Sequence, residues 1–326
     1  MGRTLVGRRA VLRSMSAAAA ALALRPRPAA AGQVKWSAGS EPPKLQAPAL
    51  AADCHHHIYS SRYEVDPRAT LRPEDATVED YRELQRRLGM TRHVIVQPST
   101  YGTDNSCTLD ALAAFGPQAR GVAVVDTTVS DAELQRMDGL GVRGIRFNLA
   151  QAGATTPEMI EPLSLRVNDL GWHIQVNAPA AKIMEIKDVF GRVPTPIVFD
   201  HLAHIPQPAG TADPLFPVII ALIDKGKTWV KLSGAYADTK VGPPTYADTS
   251  AVARAYVKAA PERLVWGSDW PHPSEKVKPD DALLLDLLLD WAPEEAVRTR
   301  ILTQNPEELY AFPKGRAEAV GLPIRG

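Results

Sequence analysis

Residues 50–57 read Leu50-Ala51-Ala52-Asp53-Cys54-His55-His56-His57, a short apolar run that ends in three consecutive histidines. The run at 50–54 has the length and apolarity of a strand buried on both faces, and seven more of its kind follow. They lie at 93–97, 121–126, 142–147, 172–176, 196–200, 228–232 and 263–267. Helical patterns alternate with them. Tyr81, Leu84 and Leu88 share one face, as do Leu163, Val167 and Leu170; residues 217–223 and 252–257 supply two more. Near the C-terminus Pro293-Glu294-Glu295 opens another helix, with proline and acids in its first turn. Eight strand–helix repeats predict an α/β fold of one domain, a closed (β/α)8 TIM barrel, in preference to an open doubly wound sheet. No GxGxxG or Walker-type loop follows any of the runs, which speaks against a nucleotide.

In such a barrel the chemistry collects at the C-terminal ends of the strands. The first run delivers His55, His56 and His57 there, the second Gln97, Ser99 and Tyr101, the third Asp126. The fourth ends with Arg146 and Asn148, the fifth with Gln175 and Asn177, the sixth with His201 and His204. The seventh gives Lys231, Ser233 and Tyr236, and the eighth Asp269 and His272. Of the 8 histidines only His93 and His173 stand elsewhere, at strand beginnings, so the imidazoles segregate to the expected mouth. A side-chain period of two turns His55 and His57 inward together and leaves His56 outside in a structural place.

Lys+Arg and Asp+Glu both number 37, so there is no charge excess to attract nucleic acid or an anionic membrane. Cys54 and Cys107 form no disulfide framework; packed thiols are expected, a single bridge being the alternative. Residues 1–31 read as a cleavable twin-arginine signal: Arg8-Arg9, an Ala/Leu stretch at 17–24, then Ala29-Ala30-Ala31. The alternatives are a disordered basic tail or a start codon placed too far upstream. That stretch is far below the ~20 residues of a membrane span. The mature protein is therefore expected to be periplasmic or otherwise exported, with no membrane segment. Residues 32–48 read as a linker, 49–315 as the barrel and 316–326 as a C-terminal tail.

Asp53-Cys54-His55-His56-His57 resembles the DxHxH signature of the amidohydrolase superfamily, amidohydrolase-2 type. Phe199-Asp200-His201-Leu202 and Trp266-Gly267-Ser268-Asp269-Trp270-Pro271-His272 are similar to its later motifs. Residues 94–99, 102–105, 141–148 and 265–273 resemble the branch holding 2-pyrone-4,6-dicarboxylate lactonase and D-galactarolactone isomerase. Thr303-Gln304-Asn305-Pro306 with Leu309-Tyr310 does so too. The resemblance spans residues 50–312. It implies a hydrolase acting on a carboxylic ester, a lactonase working without a metal cofactor. Metal-dependent members would add a bridging Lys or Glu on strand 4 and a His on strand 5. This chain has Arg146 or Asn148 and Gln175 or Asn177 there. A guanidinium repels a divalent cation and a carboxamide is a poor zinc ligand, which argues against a binuclear centre. A single divalent ion such as zinc, on His55, His57, His201 and Asp269, stays open.

The expected mechanism has Asp269 as general base toward water and His55, His57 and His201 polarising the carbonyl oxygen. Asp269 then returns the proton to the leaving alkoxide. Arg146 is a candidate fork for a substrate carboxylate, or else neutralises Asp126 or Asp269. Ser99, Asn177, Lys231 and His272 are further substrate-binding candidates, while Tyr101 and Tyr236 read as rim packing. The lactonase pattern carries extra arginines after strands 4, 6 and 7 and a tyrosine on strand 5. Here Ala152, His204, Ala237 and Asn177 stand in those places. That loss of positive charge points away from a planar dicarboxylate and toward a small hydroxyl-rich lactone of sugar-acid type. The competing readings are a mononuclear metal-dependent amidohydrolase or decarboxylase, a lactone isomerase, and an exported barrel that binds without turnover. Asp269 counts against the last, since a binder needs no general base. A homo-oligomer is open, because barrels of this kind often associate.

Overall fold

The computed structural model describes residues 1–2, 32–151 and 153–314. Ala152, the tail at 316–326 and all but two residues of the signal read at 1–31 lie outside the described residues. Eight strands run parallel in sequence order: β1 (Ala52–His56), β2 (Arg92–Val96), β3 (Ala119–Ala123), β4 (Val142–Asn148), β5 (His173–Asn177), β6 (Ile197–Phe199), β7 (Thr228–Leu232) and β8 (Leu264–Trp266). Helices α1 (Val78–Leu88), α2 (Ser106–Phe115), α3 (Asp131–Gly139), α4 (Ile160–Asn168), α5 (Ala180–Phe190), α6 (Leu215–Asp224), α7 (Ala247–Ala259) and α8 (Asp281–Trp291) follow them one by one. The circle closes just beyond β8, where Asp269 N donates to His55 O at 2.7 Å and His57 N to Trp270 O at 2.8 Å. No helix among the described residues is long and apolar enough to cross a membrane.

The helices pack their apolar faces on the outside of the strands and form the larger core. Tyr81, Leu84 and Leu88 are buried on α1 as their spacing requires, beneath a capping box of Thr77 and Asp80. Inside the barrel a second cluster joins Ala52, Cys54, Val94, Val96, Val122, Val198, Trp229 and Val265 to Leu309, Tyr310 and Phe312 from the C-terminus. The bottom is sealed by two guanidiniums: Arg92 pairs with Glu307 at 2.8 Å, and Arg120 gives bonds to the carbonyls of Tyr310 and Ala311. Cys54 and Cys107 are buried free thiols.

Two strands sit two residues or more off their expected positions, and most of the others differ by one at an end. β1 starts and ends two residues later than the run at 50–54, because buried histidines continue it and Leu50 already turns with φ 66°. β3 starts at Ala119, since polar Arg120 reaches the barrel bottom, and it ends at Ala123. Asp126 is consequently no strand-end residue. It closes a turn by accepting from Thr128 N at 2.8 Å.

Candidate active site

The first site residue owes its direction to a break in β1. Asp53 pairs with His93 and His56 with Ile95, so β1 carries one extra residue between these pairs. Such a bulge re-aims the side chains after it. Ala52 and Cys54 point into the barrel below it, and His55 and His57 point in above it. The backbone N–H that the bulge frees at His55 is taken by Asp53 Oδ1 at 3.1 Å. The same carboxylate accepts Ser268 N (2.9 Å), Ser268 Oγ (2.6 Å) and Tyr81 OH (3.0 Å), and so ties β1 to the chain after β8. Burial pushes Asp53 up to about 6 against these four bonds, with Ser268 the strongest of them.

Two left-handed stretches bring in the rest. Asp269 has φ 64°, and Gly267 beside it passes so close to β1 that a Cβ there would lie 2.6 Å from His55 Cβ. After β6, His201, Leu202, Ala203 and His204 all have φ between 49° and 57°. Each such non-glycine residue costs roughly 1–2 kcal/mol, a strain that proteins keep where it serves a site. The turn aims His201 into the mouth against Gly234, where a Cβ would stand 2.8 Å from His201 Nδ1.

The four residues named from the sequence converge. Asp269 Oδ1 lies 3.4 Å from His55 Nε2, 3.4 Å from His57 Nε2 and 3.9 Å from His201 Nε2, and the first two nitrogens are 3.3 Å apart. The outer nitrogens are all engaged: His57 Nδ1 with Val96 O at 2.7 Å, His201 Nδ1 with Ser233 Oγ at 3.0 Å, and His55 Nδ1 with Asp200 Oδ1 at 3.3 Å. The Val96 carbonyl can only accept, so His57 Nδ1 carries a proton. Burial holds His55 well below the ordinary imidazole range, helped by Lys231, and burial also lowers His201. For Asp269 burial acts upward, but His201, His57 and His55 together outweigh it and keep the carboxyl well below its usual range.

Beneath this cluster Asp200 forms a hub. It receives Gln175 Nε2 at 3.0 Å and faces Arg146 Nε at 3.4 Å and Lys231 Nζ at 3.5 Å, while Lys231 donates to Gln175 Oε1 at 2.7 Å. Arg146 thus neutralises Asp200, and neither Asp126 nor Asp269 as anticipated. Lys231, expected among the substrate-binding residues, is fully buried below the imidazoles, 3.3 Å from His55 Nδ1. At the rim the half-buried residues form an arc: His204 Nε2 meets Asn177 Oδ1 at 2.7 Å, Asn177 donates to Asn148 at 3.1 Å, and Asn148 to Ser99 Oγ at 2.6 Å. His204 Nδ1 is anchored on Asp238 at 2.9 Å.

His272 does not belong to that rim. It is wholly buried, with Nε2 3.1 Å from Asp281 and Nδ1 2.9 Å from Tyr236 OH, so it has no nitrogen left for a substrate. Tyr236, expected to be packing, instead donates to Asp269 Oδ2 at 2.5 Å. Asp53, Asp200 and Asp281 were equally absent from the expected site, and Gln175 and Ser233 were placed at the mouth without a role. Asp53 and Asp200 stand inside the quoted motifs, and Gln175 lies on the inward parity of β5. Asp281, nine residues past His272, left no signal.

A profile of the amidohydrolase family matches residues 52–312. The chain belongs to the amidohydrolase family. It is 33% identical to a 2-pyrone-4,6-dicarboxylate hydrolase of Comamonas testosteroni, over 86% of this chain and 96% of that protein. It is 34% identical to a 4-sulfomuconolactone hydrolase of Rhizobium radiobacter (84% and 94%) and 32% to a D-galactarolactone isomerase of Agrobacterium fabrum (82% and 93%). An apo crystal structure from Agrobacterium tumefaciens, 32% identical, superposes with a TM-score of 0.78 over 84% of this chain and all of its own.

The donors of this amidohydrolase fit one metal ion. The atoms of His55, His57 and Asp269 form a triangle with sides of 3.3–3.4 Å. That is close to the ~3.3 Å edge of a tetrahedron with corners ~2.05 Å from its centre. Outer nitrogens engaged by a carbonyl, a hydroxyl and a carboxylate are what imidazole ligands require. A second group of donors, His55, Asp200 and His201, shares His55 with the first and is interleaved with Lys231 and Arg146, whose charges oppose a second ion.

Proposed function

We propose that this amidohydrolase hydrolyses a lactone, with Asp269 as general base and His55, His57 and His201 around the carbonyl oxygen. The observation that carries the reading is the convergence of three imidazole Nε2 atoms on one carboxylate oxygen at the barrel mouth. A lactone carbonyl oxygen entering between the rings would take over their donors as charge develops on it. The imidazoles that keep Asp269 ionised would be drawn to the oxyanion, and Asp269 would become a better base as water attacks. Held by His55, His57, His201 and Asp269, a divalent ion would supply Lewis-acid polarisation of that carbonyl. Charge balance supports turnover without one: the two carboxylates of Asp200 and Asp269 are matched in number by Arg146 and Lys231, both of which face Asp200, and burial favours neutral imidazoles at His55 and His201.

The related proteins named above act on lactones or on a pyrone, which is a cyclic ester as well. Within that class the rim arc of Ser99, Asn148, Asn177 and His204 suits hydroxyl groups, and Arg146 is already paired with Asp200. A neutral or singly charged sugar-acid lactone follows as substrate. The twin-arginine pattern of residues 1–31 adds the periplasm or another exported space as its place of action.

The test is a panel of aldonolactones, aldarolactones and aryl lactones given to chelator-treated protein, followed by indicator dye and product analysis. Acid release fastest on the hydroxylated members is expected. Stoichiometric zinc whose removal abolishes turnover would overturn metal independence. Ring migration without acid release would mark an isomerase, and thermal stabilisation without either a binder.

A further inference from the structure

Asp269 has two oxygens in different surroundings. Oδ1 faces the histidines, and Oδ2 receives the Tyr236 hydroxyl at 2.5 Å. That hydroxyl lies between two acceptors, because His272 Nδ1 is 2.9 Å away on its other side. His272 is in turn held by Asp281, whose oxygens stand 3.1 and 3.2 Å from Nε2. Tyr236 is half-buried and opens on the mouth, whereas His272 and Asp281 are fully buried behind it. His272 itself sits at φ 53°, with its carbonyl bonded by Lys278. Two buried polar groups, one of them on a strained residue, thus position one phenolic hydroxyl beside the carboxylate of the mechanism.

We propose that Tyr236 is the general acid that protonates the leaving alkoxide, with His272 and Asp281 as its positioning residues. The inference rests on the lactone-hydrolase reading above and adds a residue to it. While Asp269 is a carboxylate it holds the phenolic proton. Water attacks the carbonyl carbon and gives a proton to Asp269, which then no longer competes for the hydroxyl. As the ring C–O bond breaks, the Tyr236 proton passes to the departing oxygen. The proton on Asp269 then moves to the phenolate oxygen beside it, and both groups are restored. One proton has travelled from water to the alcohol product, with no other reactant.

The experiment compares Tyr236→Phe with wild type on D-galactono-1,4-lactone, which leaves as an alkoxide, and on dihydrocoumarin. The latter leaves as a phenol, acidic near pH 10 as tyrosine is, and needs little protonation. Phe keeps the ring and its packing. Loss of kcat by about 100-fold or more on the first lactone is expected, with KM little changed, and less than tenfold on the second. His272→Asn should show the same dependence on the leaving group, more weakly. Equal losses on both lactones, or tenfold or less on the first, would overturn the role of Tyr236 while leaving the lactonase reading intact. Wild type inert on both and on the panel above would remove the lactonase reading, and this inference with it.

Discussion

Replacing Asp269 with Asn separates chemistry from architecture at this site. Residue 269 has φ 64°, a conformation that Asn tolerates better than most side chains. Its amide oxygen can accept Tyr236 OH as Oδ2 does now, and its NH2 can face His57 Nε2, the ring being held through Nδ1 on Val96 O at 2.7 Å. The buried negative charge and its desolvation cost disappear together. Stability should therefore stay within about 1 kcal/mol of wild type, as for other substitutions that leave no buried group unpaired. Ala at the same place would lose both contacts and add roughly 1–2 kcal/mol of left-handed strain. Activity behaves differently, because an amide cannot take a proton from water. A positioned base is worth about 10²–10⁴ in rate, or roughly 3–5 kcal/mol of transition-state stabilisation. Initial rates of acid release on the best lactone of the panel, with a thermal midpoint for each variant, measure both quantities. Asp269→Asn folding normally and keeping more than a tenth of wild-type kcat would refute the base assignment.

Two further expectations follow from the surroundings of the cluster. Gly234→Ala places a methyl 2.8 Å from His201 Nδ1 at φ 62°, so it should cost about 1–3 kcal/mol and displace His201. Unchanged thermal midpoint and kcat would show that the imidazole has room to move. Asp53 binds its proton up to about pH 6 in the folded chain and to 3.8 ordinarily. Its contribution to stability is greatest below the lower value and is lost as pH rises through the upper one. Asp53→Asn should accordingly gain on wild type between pH 4 and 7 in denaturant titrations; parallel pH profiles would contradict the burial argument.

Much of this was legible in the chain, for reasons that can be named. Buried parallel strands are short apolar runs, and eight of them with amphipathic helices between admit few arrangements other than a barrel. Histidine at strand ends is rare enough that its clustering marks the mouth, which is how His55, His57 and His201 were found, while Asp269 stood out at the end of the eighth run within its motif. What stayed hidden depends on partners distant in sequence. Nothing near Arg146 indicates Asp200 as its counter-ion, 54 positions away. Nothing near Tyr236 indicates His272 or Asp281. Lys231 and His272 looked like rim residues because position along a strand gives direction but not depth.

The two shortest strands carry the deepest lesson. β6 and β8 have three residues each where the other strands have five or seven, and they precede His201 and Asp269. The left-handed region is reached two residues past β6 and three past β8, at φ 49–57° in one case and 64° in the other. A regular strand end would send those side chains up along the barrel axis or out to the helices. The left-handed turns fold them inward, and the bulge in β1 does the same for His55. Pattern reasoning assumes regular geometry, so it reads best where the chain obeys it. Here the irregular positions are the ones that build the cluster, and the strain they hold is offset by the regular barrel around them.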